Sequence, residues 1–156
     1  MKEGEGKLPL NSNRRYNSHM SKSFTLEQVN QMLPDVARRF ALVCEKRSVY
    51  LRVHDAVFVQ ELVQNADQEK NSDLFAGDLE KDIQNLEETI FELSKEIDEL
   101  ISLGCILRSM DQGLIDFPGE LRGERVFFAW KSGEKQIAFY RKRNSSGASA
   151  ERISLG

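Results

Sequence analysis

Leu79, Ile83, Leu86, Ile90, Leu93, Ile97 and Leu100 follow one another by alternate steps of four and three, seven apolar hits in seven positions. That spacing gathers the side chains into one stripe along an α-helix and is incompatible with the two-residue alternation of a strand. Glu80, Lys81, Glu87, Glu88, Glu92, Lys95, Glu96 and Glu99 flank the stripe, and Gly104 supplies a C-terminal stop. A helix over about 79–103 therefore needs a partner for its stripe.

The partner lies upstream. Thr25 and Gln28 have the spacing of a capping box, with Phe24 just before the cap, so a helix is predicted over about 26–64. Along it Leu26, Val29, Leu33, Val36, Phe40, Val43, Arg47, Tyr50, His54 and Val57 step by three and four. Pro34 falls early enough to bend or re-cap this helix without abolishing the pattern beyond it. Arg47 and His54 are polar intrusions: His54 is read either as a ligand or pH-sensitive group, or with Arg47 as a pair that sets register or lies where the partner helix has ended. Residues 65–78 are a polar connection in which the chain reverses, with Asp78 as the expected cap of the second helix. Leu42, Leu51, Val53, Phe58, Leu62, Phe91 and Ile101 add apolar surface beside the stripes, more than a lone helical pair can bury. Pairing of two hairpins into a four-helix bundle, a homodimer, is the expected solution, and a different protein partner is the alternative.

After Gly104 the period changes. Short runs at Cys105–Met110, Leu114–Phe117, Arg125–Trp130 and Gln136–Tyr140 are separated by Asp111-Gln112-Gly113, Pro118-Gly119 and Ser132-Gly133-Glu134. They predict an antiparallel β-meander over 105–140, with Gly113 left-handed at the end of a three-residue hairpin loop. Val126, Phe128 and Trp130 are placed on one face, and Arg125, Phe127 and Ala129 on the other.

With 156 residues, one domain over 24–140 is expected, flanked by flexible basic tails at 1–23 and 141–156. Met20 is an alternative start, so residues 1–20 are kept out of the fold reading. Each end carries +3 and the centre −9, a total of −3 that gives no warrant for an obligate nucleic-acid binder. Weak nucleic-acid binding through the basic ends is retained as a remote alternative. No run is long and apolar enough for a membrane span or a signal peptide, and Cys44 and Cys105 lack a second ligand at metal-site spacing. A cytoplasmic protein without membrane contact, metal or cofactor is the expectation.

Four residues attract a chemical reading: Asp116, Arg125, Trp130 and Glu134. Asp116 and Glu134 would meet across neighbouring hairpins and divide acid and base roles if their surroundings separated their pKa values. Alternatively Asp116 accepts amide hydrogen bonds in a Phe-Pro-Gly turn, Glu134 is solvated or pairs with Arg125, and Trp130 is core. Phosphate loops, His-Glu-x-x-His elements, CxxC pairs and nucleophile elbows do not occur.

FTLEQVNQMLP at 24–34, GLIDFP at 113–118 and GERVFFAWKSGE at 123–134 together resemble a family catalogued as a domain of unknown function, number 2203. The resemblance spans about residues 24–140 and implies helices followed by a small sheet, with no established activity. The family pattern often has a Cys just before the tryptophan and a Trp-His pair after the last strand. Ala129, and Tyr140 with Arg141, stand at those places here, so a family metal site would lose its ligands in this member.

The chain is thus read as α+β, a long antiparallel helical hairpin of coiled-coil type followed by a small antiparallel β-meander. Its expected role is that of a self-associating interaction or assembly module. The alternative is a small-molecule binder or enzyme with a pocket between sheet and helices, lined by Asp116, Arg125, Trp130 and Glu134.

Overall fold

Thr25 and Gln28 do form the capping box: the Gln28 amide donates to Thr25 Oγ1 at 3.1 Å, and the Thr25 amide donates to Gln28 Oε1 at 2.9 Å. From this start a computed structural model, describing residues 23–66, 76–144, 147–148 and 151–156, runs as α1 (Leu26–Ala66) and α2 (Ala76–Ile101). Six strands follow, β1 (Ile106–Ser109), β2 (Leu114–Leu121), β3 (Glu124–Lys131), β4 (Phe139–Asn144), β5 (Gly147–Ala148) and β6 (Ile153–Ser154). The α+β reading holds. α1 continues through Pro34 in one helical run, and α2 begins at Ala76, two residues before Asp78. Most of the predicted 65–78 connection lies outside the described residues.

The described residues form two compact units. The first joins residues 23–34 with those described from Ile101 onward, and the second consists of those described between Asp35 and Leu100. In the second, the helical hairpin, Val36, Phe40, Val43, Val57 and Leu100 are buried, and Arg39–Glu99 and Lys46–Glu92 ion pairs link α1 to α2. His54, on the expected stripe, is exposed beside Asp55.

In the first unit β1 to β4 form the expected meander, every pairing antiparallel, and β6 returns to pair with β4. Gly113 is left-handed as anticipated, with φ 67°. Pro118-Gly119, in contrast, is no turn. β2 runs through both residues to Leu121, and the reversal comes at Arg122-Gly123, φ 52° and 83°, the doubly left-handed signature of a tight hairpin. Pro118 is tolerated because pairing with β1 has ended by Asp116, so no ladder donor is needed on that side. The backbone of Phe24 takes that place, its amide donating to Pro118 O at 2.8 Å, and its ring meets Phe117 edge-on.

The fourth strand is displaced from the expected Gln136–Tyr140 to Phe139–Asn144. The Ile137 amide donates to Asn30 Oδ1 of α1, and so is taken before the ladder begins. Residues 141–156, expected as a tail, thus supply most of β4 and all of β6, because Arg141, Arg143 and Arg152 find partners on the sheet. Alternation buries both sides of β3: Val126, Phe128 and Trp130 on one, Phe127 and Ala129 on the other.

Gly119 is where backbone and sheet come closest. A Cβ there would lie 2.2 Å from Phe128 Cε2 and 2.7 Å from Phe24 O, and the latter is backbone that cannot swing aside. Gly119→Ala is expected to cost about 2 kcal/mol or more by overpacking, read as a lowered midpoint in urea unfolding.

Candidate functional site: an arginine face around a buried carboxylate

Among the described residues Asp116 is the one charged side chain that is wholly buried, at 0% exposure. The β2 register pairs it with Ile106 of β1 and Ala129 of β3, in the middle of the sheet. An isolated carboxylate in such a place is costly, and arginines converge on it. Arg108 Nε from β1 donates to Asp116 Oδ2 at 2.9 Å, and Arg141 from β4 brings Nη2 to 3.6 Å from Oδ1. Arg152, just before β6, adds its charge from further away. Burial pushes the Asp116 carboxyl above the usual carboxylate range, and the Arg108 hydrogen bond and the charges of Arg141, Arg108 and Arg152 only partly pull it back.

The same arginines roof the aromatic residues of this face. Arg108 and Arg143 lie 5.0 and 4.3 Å from the Phe127 ring centre, and Arg152 lies 4.3 Å from that of Phe139. Their stems and planar heads cover Phe127, which is why a strand rich in arginine can bury its rings. Arg143 Nε also donates to Val126 O at 3.0 Å, and burial with the nearby Arg125 charge holds its guanidinium below its ordinary pKa.

The four residues singled out in the sequence have different surroundings, although Arg152 acts on both Asp116 and Glu134. Trp130 Nε1 donates to Glu134 O at 2.8 Å, which ties the buried indole to the turn after β3. Glu134 Oε1 accepts from the Lys131 amide and from Arg152 Nη2 at 2.8 Å, so its ion-pair partner is Arg152 where Arg125 had been considered. Asp116 accepts from Arg108 and not from turn amides, since there is no turn at Pro118. Arg125 is exposed towards the other end of β3, in register with Glu120. Asp116 is engaged by Arg108 and Arg141, and Glu134 by Arg152. Arg108 carries no local signal in the sequence, and composition places Arg141, Arg143 and Arg152 in a tail. For two of these the signal lies in the alternation Phe139, Arg141, Arg143, one face of a strand.

Burial pushes the Cys105 thiol up to about 12, and burial also raises that of Cys44, so neither presents a thiolate near neutral pH. Among the described residues there is no group of three or more His, Cys, Asp and Glu able to hold a metal ion, and no helix long and apolar enough to cross a membrane.

Helical hairpin, meander and sheet-borne arginine cluster define an α+β protein whose recognisable site is electrostatic. The chain belongs to the family described as "Uncharacterized conserved protein (DUF2203)", which it matches over residues 22–153. No curated protein and no solved structure matches it.

Because the Asp116 carboxyl is raised in the fold, its contribution to stability is greatest below the unfolded carboxylate pKa and declines as pH rises through the folded value. The stability of the wild type relative to Asp116→Asn should therefore fall on going from about pH 4 to pH 7. Urea unfolding of both proteins at the two pH values checks the sign.

Proposed function

We propose that the protein is a self-associating assembly module, and that a second copy of the chain covers the helical hairpin. One observation carries this reading. The hairpin exposes Leu51, Phe58, Val59, Leu62 and Val63 from α1 and Ile83, Ile90 and Phe91 from α2, with Phe58 at 54% and Phe91 at 67% exposure. Ile83 and Ile90 belong to the heptad stripe itself, so the stripe is wider than one partner helix hides. An apolar surface of this extent on a monomer marks an interaction site.

Charge favours a second copy as the occupant. α1 carries five Lys or Arg and five Asp or Glu, whereas α2 carries two against nine. An isologous pairing that sets α2 against the partner's α1 brings each acidic helix next to a balanced one and keeps the two acidic helices apart. A four-helix bundle built in this way buries the exposed phenylalanines, each worth about 1.5–3 kcal/mol on full burial.

Light scattering coupled to size exclusion should give twice the chain mass at micromolar concentration. Phe58→Glu with Phe91→Glu should give the monomer with helical circular dichroism retained, since both side chains are exposed within the single chain. A wild-type monomer at those concentrations would sink the reading.

A further inference from the structure

We propose that the arginine face of the sheet is a binding site for a compact phosphate-bearing anion, seated at Arg141 and Arg152 and flanked by Arg108 and Arg143. The charge balance is the first argument. Among the described residues the guanidinium groups of Arg108, Arg141, Arg143 and Arg152 gather about two carboxylates, Asp116 and Glu134, two more positive charges than negative, and further along the face Arg125, in register with Glu120, adds a charge that Arg143 feels. A dianion neutralises the excess about the two carboxylates.

Unused hydrogen-bonding capacity is the second. Among the described residues the Nε–H groups of Arg141 and Arg152 are both buried and without an acceptor. Buried donors of this kind are rare in folded proteins because each forfeits the hydration it had in water. Arg141 keeps only 11% of its side chain exposed, so the fold holds a nearly dehydrated cation where an incoming oxyanion gains most from it. The Asp116 charge does not bar such an anion, because Arg108 and Arg141 already engage it.

Geometry selects the chemistry. The arginines come from β1, β4 and the segment before β6, so their donors approach from several directions. A tetrahedral oxyanion accepts from all of them, whereas a planar carboxylate accepts in one plane. A single-stranded nucleic acid fits less well. Base stacking needs open rings, and Phe127 and Phe139 are already covered by Arg108, Arg143 and Arg152.

Titration calorimetry of the full chain with inorganic pyrophosphate, at about 150 mM salt to suppress diffuse attraction, tests this. The expected result is one site per chain with a Kd below about 1 mM, weakened about tenfold or more in Arg141→Gln with Arg152→Gln and unchanged in Arg52→Gln on α1. Absence of saturable binding by the wild type overturns the proposal, as does binding that the sheet variants leave intact. A single-stranded RNA that binds more tightly than pyrophosphate through the same arginines would replace the compact anion with nucleic acid. Where the double variant fails to fold, mass-spectrometric mapping of phenylglyoxal modification on the wild type decides: pyrophosphate should slow the modification of Arg152, the more exposed of the two, and leave that of Arg52 as it was, and an unchanged rate at Arg152 refutes the site.

Discussion

A carboxylate with no exposure to water sits in the middle of the sheet, and the arrangement of the strands follows from having to satisfy it. Asp116 takes Arg108 from the strand on one side and Arg141 from a strand two places away on the other. Removing a partner from a buried pair typically costs about 3–5 kcal/mol, since the group left behind remains dehydrated and unpaired. Arg108 is about a third exposed, so its share lies below that range. The Arg141 contribution explains why the chain beyond Tyr140 continues β4 and does not leave the sheet. Arg152, held by Glu134 and stacked on Phe139, gives β6 the same reason to return.

The hairpin obeys a different constraint. Its helices meet along one stripe and are joined by Arg39–Glu99 and Lys46–Glu92, partly exposed pairs worth little each in water. Apolar burial must supply most of its stability, yet much of the apolar surface faces outward in the single chain. The two units therefore rest on opposite principles. One is organised by charge sheltered from water, and the other by hydrocarbon that remains in contact with it.

What could be read from the sequence divides along that line. The heptad run, the Thr25–Gln28 box, the Gly113 hairpin and the two faces of β3 all follow from residues near one another in the chain. Pro118-Gly119 misled because its local signal is a turn, whereas the sheet edge and the Phe24 backbone make an extended Pro-Gly acceptable. The residues after Tyr140 misled for a related reason. Arg, Lys, Ser and Gly read as a solvated tail until the register shows which carboxylates and rings the arginines reach. Of the four site residues chosen, Asp116, Trp130 and Glu134 are woven into the sheet's polar contacts, while Arg125 stands in register with Glu120 at the other end of its strand. Arginine recognition depends on pairing across strands, which composition and spacing do not encode.

The sheet unit is made from residues before Asp35 and after Leu100, with the hairpin between them in the sequence. The Asn30–Ile137 hydrogen bond spans 107 positions, and the Phe24–Pro118 bond nearly as many. Contacts so distant in sequence form late, after the loop-closure entropy of everything between has been met. During synthesis the hairpin leaves the ribosome whole while the strands that complete the other unit are still being made. Its exposed apolar residues are thus in place before the arginine face exists, and the order of translation sets the folding of the hairpin ahead of that of the sheet.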